Sequence, residues 1–473
     1  MLVAANRTPS ISEPAREQSS VIRLPEILSA LSFALDLTEG AVPGHALRSC
    51  ILGMRVAARA TLSQFQRSDL YYALLLKDIG CSSNAARMCQ IVGGDDRAIK
   101  AGVKLEDWTK PHNPKLSTLK LLWNTVLPGA GPMERVIRIV RIGATQHKNN
   151  EEMITLRCDR GASIIGKIGL GQVTAEAVRS LDEHWDGSGY PSRLRGERIP
   201  LLARIAAVAQ HLDVFASETS PANAITVLEE RSGKWFDPEL VRIAVALHKE
   251  QTLWHNCLAS TPEAEIRRAV QELEPSDNVP LGPDRIDRVC EAFSDVVDAK
   301  SPFTRRHSMG VADAAMMITA TMGMSPERTL FIRRAALLHD LGKLRVPNSI
   351  LDKQGKLTSD EFTVVKEHPA LTRQILERIP AFREMAMVAG SHHEKLDGTG
   401  YPNQIEARQL SLESRIIAVA DVYAALSEER PYRESLDLAQ ISAIMQRDVP
   451  HKLDAECYEA LLYALKEGAV LAG

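Results

Sequence analysis

AALLHDLGK, residues 335–343, decides how this chain is read, because a damaged copy stands earlier as ALLLKDIGC at 73–81. Both are apolar runs with helical spacing that close on a carboxylate and a glycine. The later copy ends in His339-Asp340, two side chains suited to a metal ion, whereas Lys77-Asp78 puts an ammonium where the imidazole would be. The pair predicts a duplicated unit with one working site and one abandoned site.

The repeat continues along the chain. His45 lies 33 residues before Asp78, and His307 lies 33 before Asp340. DGSGYP at 186–191 answers DGTGYP at 397–402, 211 residues on, and Arg204-Ile205 and Arg415-Ile416 keep that offset. Phe236-Asp237-Pro238 answers Leu453-Asp454-Ala455. Between the Asp and the DGxGYP turn the first half is 51 residues longer (108 against 57), which places an insertion within 81–156.

Composition sets the frame. A chain of 473 residues exceeds one ordinary core and fits two domains. Hydrophobic residues at 45% and charged residues at 25% are globular values, and 5% aromatics suit Ala- and Leu-rich helices better than a β-sandwich. A net charge of −3 gives no basic footprint for a nucleic-acid polymer. Seven cysteines without CxxC spacing form neither a disulfide framework nor a zinc site. Charged residues from Arg7 to Glu17 precede any apolar run, and no window of 18 apolar residues occurs, so neither a signal peptide nor a membrane span is expected, and the expected location is the cytoplasm. The polar stretch 1–20 reads as a disordered tail and 274–283 as a linker. The expectation is therefore an all-α protein with domains at 21–273 and 284–473.

Six residues of the second half carry the chemistry: His339, Asp340, His368, His392, His393 and Asp421. On a helix, adjacent His392 and His393 would diverge by about 100° and serve two neighbouring metals. His368 and Asp421 fall in segments of helical period, 361–376 and 415–426. Imidazoles with carboxylates suit iron or manganese, with zinc, nickel or cobalt as alternatives, and do not suit calcium. Two such metals about 3.5–4 Å apart are a common device for phosphoester hydrolysis.

The ordered set Arg306-His-Ser308, HDLGK, Pro347-Asn-Ser-Ile-Leu351, Lys366-Glu-His368, His392-His-Glu394, DGTGYP, Arg415 to Asp421, Arg430-Pro-Tyr-Arg433 and Leu453-Asp454 resembles an HD-GYP domain, the helical branch that hydrolyses bacterial cyclic dinucleotides. The match covers nearly the whole second half, and the first half resembles a degenerate copy. The resemblance implies two HD-type domains in tandem, two divalent metals on the six residues named, and Asp340 as the bridging carboxylate. It implies that Lys343, Arg430 and Arg433 hold substrate phosphates, with His307 beside the site as a further substrate contact. The implied substrate is cyclic di-GMP, with the hybrid 3′,3′-cGAMP as the alternative. Gly400, Tyr401 and Pro402 would form a loop able to dock GGDEF-domain partners, and a homodimer is compatible. Phe303 stands where some members carry the carboxylate of a third metal, so two are expected. Gly310, Leu396 and Thr372 replace a common Arg, an aromatic and a Gly.

Carried back to the first half, the ligand positions fall on Lys77, Asp78, Arg157, Leu181, Asp182 and Gln210, and Lys343 falls on Cys81. Asp78 and Asp182 alone are too few ligands for a dinuclear centre, so this half is expected to be catalytically dead. Two readings stay open for it: a buried ion-pair network, or a sensory site in which Lys77 and Arg157 bind an anion. For the whole chain, the alternative to an enzyme is a regulatory scaffold that binds nucleotide with negligible turnover.

Overall fold

The computed structural model describes residues 22–105, 116–275, 281–304, 306–428 and 435–472. The expected disordered tail at 1–20 and residues 276–280 of the expected linker lie outside the described residues. Within them the fold is all-α. Helices and short 3-10 turns are joined by loops, and extended structure is limited to two isolated bridges, Ser232–Phe236 and Asp397–Glu406.

Local chemistry explains why the two diagnostic runs are helices. Ser63 caps the helix Gln64–Leu76 in a capping box with Gln66, and Ser325 caps Pro326–Leu338, whose proline occupies the tolerated first turn. Each helix ends where the repeat diverges, at Lys77 in one half and His339 in the other. A 3-10 turn follows in each case, Cys81–Asn84 and Leu341–Arg345. Its glycine is forced by close approach: a Cβ on Gly80 would lie 1.9 Å from the Arg157 carbonyl oxygen, and one on Gly342 2.0 Å from that of His368.

The halves repeat in three dimensions. His45–Ala58 packs on Gln64–Leu76 and Leu201–Glu218, and His307–Thr321 packs on Pro326–Leu338 and Leu412–Ser427. The Glu183 carboxylate accepts the amides of Ser192 and Leu194, and Glu394 likewise accepts those of Asn403 and Ile405. Arg204 pairs with Asp237 at 2.6 Å and Arg415 with Asp454 at 3.2 Å. The GYP turn is thus held by its own carboxylate, whether or not ligands surround it.

A single apolar core runs through both halves. The helix Leu24–Glu39 lies against the turn Leu341–Arg345 and the helix His368–Leu376 of the other half, and Pro283–Asp298 lies against the long helix Pro132–Ile168. Fully buried side chains such as Leu28, Leu31, Ile375 and Leu376 each contribute roughly 1.5–3 kcal/mol. The longer first half supplies Ala85–Val92, Asp96–Leu105 and Leu116–Thr125, which close a small separate core around Val92, Ile99 and Val126.

Two local expectations need correction. His392 and His393 stand on a turn after the helix Arg383–Ala389, not on a helix. The helix stops at Gly390, which lies so close to the helix His368–Leu376 that a Cβ would meet that of Arg373 at 2.7 Å. The segment 361–376 is two helices, Ser359–Lys366 and His368–Leu376. Pro369 cannot donate to the preceding turn, so the helix restarts at His368.

Candidate metal centre

Two helix ends, one helix interior and one turn bring the predicted residues together. His339 and Asp340 end one helix, His368 begins another, His392 and His393 stand on the turn, and Asp421 projects from Leu412–Ser427. The two oxygens of Asp340 face different imidazoles. Oδ1 lies 3.2 Å from His368 Nε2 and 3.7 Å from His392 Nε2, while Oδ2 lies 3.2 Å from His339 Nε2 and 3.7 Å from His307 Nε2. Asp421 closes the other side, with Oδ1 3.2 Å from His307 Nε2 and Oδ2 3.6 Å from His393 Nδ1.

These side chains form three overlapping groups with ligand atoms within 4.8 Å of one another: His368, His392 and His393; His307, His339 and Asp421; and His339, Asp340 and His392, which joins the first two. Asp340 stands between them. His307, expected beside the site as a substrate contact, is a full member of the second group.

The donor chemistry fits divalent cations. His339, His368 and His392 each turn Nδ1 onto a carbonyl three residues back, Ala336 at 2.6 Å, Val365 at 2.7 Å and Ala389 at 2.6 Å. An Nδ1–H donated to a carbonyl fixes the tautomer and leaves the Nε2 lone pair for a metal. The Nε2 atoms of His368 and His392 then face each other at 3.1 Å, two lone pairs that repel without a cation or proton between them. His339 Nε2 and Asp340 Oδ1 are buried and make no hydrogen bond.

Electrostatics agree. Burial, reinforced by neighbouring imidazoles, holds His392 well below its ordinary pKa, and burial takes His393 down to about 3. Burial also lowers His368, against the opposing pull of Asp340. Burial alone would raise Asp340, but His339 and Lys343 outweigh it and hold the carboxylate well below its usual range. Metal ligation needs these forms, neutral imidazole and ionised carboxylate. His307 differs: burial would lower it, but hydrogen bonds to Asp421 and Glu428 raise it to about 9. A cation bound there competes with that proton.

Of the other predicted residues, Lys343 stands at the rim, its side chain 19% exposed and its ammonium 2.5 Å from Asp340 Oδ2. Arg430 and Arg433 lie outside the described residues. Gly400 is buried, and Tyr401 and Pro402 are half-buried. The Tyr401 ring lies 4.8 Å from that of His393, so the loop meets the centre as well as the surface.

The first half holds ion pairs where the second holds its candidate ligands. Lys77 donates to Asp78, and Arg157 Nε lies 2.9 Å from Asp182 Oδ2. Gln210 is buried, and Leu181 belongs to the core. Asp213, one turn beyond Gln210, accepts from His45 Nδ1 and Arg48 Nε, both at 2.6 Å. Glu39, Asp78 and Cys81 also bring ligand atoms within 4.8 Å, but Lys77 sits on Asp78 and the Lys100 ammonium lies 3.7 Å from Glu39. Two ammonium groups already neutralise that acidic cluster.

Sequence reasoning gave no role to several supporting residues. Thr372 donates to the His339 carbonyl at 2.8 Å and accepts from the Gly342 amide at 2.9 Å, bracing the HDLGK turn. Asp298 accepts from the amide and hydroxyl of Ser308, and Asp36 accepts from the Ala46 amide in the corresponding place. Both acids keep the 9-residue spacing to the first-helix histidine, a repeat signal that could have found them.

Residues 135–240 and 291–457 match the HD domain family. The chain is 39% identical over 447 residues to 3'3'-cGAMP-specific phosphodiesterase 3 of Vibrio cholerae serotype O1, covering 93% of this chain and 94% of that protein. It is 33% identical over 327 residues to 3'3'-cGAMP-specific phosphodiesterase 1 of the same organism, covering 64% and 73%. Cyclic di-GMP phosphodiesterase response regulator RpfG of Xanthomonas campestris pv. campestris is 38% identical over 154 residues, 32% of this chain and 41% of that one. The crystal structure of the cyclic GMP-AMP specific phosphodiesterase V-cGAP3 of V. cholerae superposes with a TM-score of 0.64 at 35% identity, covering 94% of this chain and 98% of that one.

Proposed function

The chain belongs to the HD domain family, in its HD-GYP branch, and on that premise we propose that it is a cyclic dinucleotide phosphodiesterase acting first on 3′,3′-cGAMP. The observation that carries the reading is Asp340, whose two carboxylate oxygens face different imidazoles, Oδ1 those of His368 and His392 and Oδ2 those of His339 and His307, in the manner of a bridging ligand. Two divalent cations, iron or manganese by donor type, would be held by His339, Asp340, His368, His392, His393 and Asp421, with His307 as a seventh donor. Bound there, they supply Lewis acidity toward a phosphodiester and a more acidic attacking water.

The chain's own residues account for the rest. The three Nδ1-to-carbonyl hydrogen bonds hold the imidazoles in one orientation before any ligand arrives, which removes reorganisation from the reaction. Lys343, at the rim, offers its ammonium to phosphoryl oxygens as charge builds on them. Tyr401 lays its ring against His393 from the loop side and limits the positions that imidazole can take. The first half, residues 21–273, is a degenerate copy that turns over nothing, and residues 284–473 carry the activity. The nearly full-length likeness to a protein named as cGAMP-specific supports reading 3′,3′-cGAMP, ahead of cyclic di-GMP, as the substrate.

The test is product analysis on manganese- or iron-loaded protein, with the two nucleotides side by side and Asp340→Ala as control. Faster turnover of 3′,3′-cGAMP that vanishes in the variant supports the reading. Faster cyclic di-GMP turnover reverses the substrate assignment. No turnover of either at full metal occupancy leaves a nucleotide-binding scaffold.

A further inference from the structure

A second buried polar cluster lies away from the metal centre, where the extra helices of the first half meet the second half. Asp96, the first residue of Asp96–Leu105, is fully buried. Its Oδ1 accepts the backbone amide of Asn348 from the other half at 3.1 Å. Its Oδ2 lies 4.0 Å from the Lys300 ammonium and 3.7 Å from that of Lys100. Lys100 also lies 3.7 Å from Glu39 and donates to the Cys81 carbonyl at 2.8 Å. Two carboxylates and two ammoniums are therefore buried together, which makes the cluster costly to break by removing one member.

What Asp96 touches leads in two directions. The Asn348 side-chain amide donates to the Lys300 carbonyl at 2.6 Å and to Asp352 at 2.8 Å, and Ser301 donates to the other Asp352 oxygen at 2.5 Å. These bonds tie the loop 299–304 to the helix Asn348–Leu351. The first loop feeds His307, whose amide donates to the Thr304 carbonyl at 2.9 Å. The second segment follows Lys343, whose carbonyl accepts from the Val346 amide at 3.0 Å. One carboxylate from the half without a ligand set thus anchors the backbone leading to His307 and the backbone leaving Lys343.

We infer that Asp96 is a positioning residue for the catalytic centre of the other half, and that the extra helices of the first half exist in part to deliver it. The inference rests on the phosphodiesterase reading for its kinetic consequence but not for its structural one. A centre assembled from several elements depends on the loops between them, and misplacement by about 1 Å far from the chemistry can cost roughly 10²-fold in rate. Asp96 touches neither metal ligand nor substrate, so its loss should appear in kcat and not in KM.

The test uses the full-length, metal-loaded chain with Asp96→Ala and Asp96→Asn, reading kcat and KM on 3′,3′-cGAMP, metal content, and backbone hydrogen exchange. Asp96→Ala should lower kcat about tenfold with KM and metal content unchanged. Faster exchange should be confined to residues 299–304 and 346–352. Asp96→Asn keeps an acceptor for the Asn348 amide and should recover most of the loss. Wild-type kcat in Asp96→Ala overturns the inference, as does faster exchange spread over the whole chain, which would make Asp96 a stability residue only. If the wild type hydrolyses neither nucleotide, the phosphodiesterase reading fails, and the exchange pattern still decides whether Asp96 anchors the two segments.

Discussion

Removal of Asp213 should markedly destabilise the first half. Asp213 is 2% exposed and sits 2.6 Å from both His45 Nδ1 and Arg48 Nε, with Arg48 Nη2 at 3.2 Å. Burial would raise this carboxylate, but the His45 hydrogen bond and the charges beside it hold it below its usual value. Asp213→Ala leaves a guanidinium that is 1% exposed without its counter-charge. Arg48 keeps the carbonyls of Pro43 at 2.6 Å and Val42 at 3.2 Å, so part of its hydrogen bonding survives. Breaking a buried pair typically costs about 3–5 kcal/mol, and the surviving carbonyls put this case near 3. For a unit of about 250 residues that is a fall of about 6–12 °C in the midpoint of its transition, read by calorimetry at neutral pH. Replacing all three partners by apolar residues, His45→Leu with Arg48→Met and Asp213→Leu, should be neutral or stabilising. A loss below about 1 kcal/mol for Asp213→Ala, or collapse of the triple variant, would refute the view that this cage is held together by mutual neutralisation.

Further outcomes follow from the same geometry. Lys343→Met should lower kcat by about 10²-fold or more while leaving metal content intact, measured by turnover and elemental analysis on the same sample. Gly342→Ala has no room, with its Cβ 2.0 Å from a backbone oxygen, and should cost about 1–3 kcal/mol along with the geometry of the HDLGK turn, read by thermal melting and metal content. His211, partly buried between Trp235 and Phe236, is pushed down to about 3, chiefly by burial and then by Arg231. Because the native state then binds fewer protons than the unfolded chain, His211 should contribute a fall in stability as pH drops below about 6.5, about 2 kcal/mol at pH 5, and His211→Phe should reduce the acid-side slope in urea titrations by that amount, leaving the part due to His368, His392 and His393. Chelation should abolish turnover and lower the melting temperature, since a cation held at 100 times its dissociation constant stabilises by about 2.7 kcal/mol.

The site was more legible in the sequence than the framework around it. His339, Asp340, His368, His392, His393 and Asp421 announce themselves because metal ligation tolerates few residue types and the duplication supplies an internal control. Helical period placed Asp421 correctly, but it could not tell that Pro369 restarts a helix at His368 or that a close approach at Gly390 ends one before His392. His307 was undervalued because its neighbours in the cluster, His339 and Asp421, are distant in sequence. The His45–Asp213–Arg48 network was invisible because Asp213 is displaced by one turn from Gln210, the position the repeat pointed to. Asp96 lies within the stretch where the two halves cannot be aligned, and its bond to Asn348 spans 252 residues. Neither periodicity nor repeat could reach it.

The central claim is that one dinuclear centre, in the second half, performs the chemistry. It is tested most directly by metal stoichiometry and 3′,3′-cGAMP turnover measured together on the wild type, Asp340→Ala and Asp182→Ala. The account predicts two metals per chain in the wild type, loss of metal and turnover in Asp340→Ala, and both unchanged in Asp182→Ala. Metal and turnover that survive in Asp340→Ala, or are lost in Asp182→Ala, would contradict it.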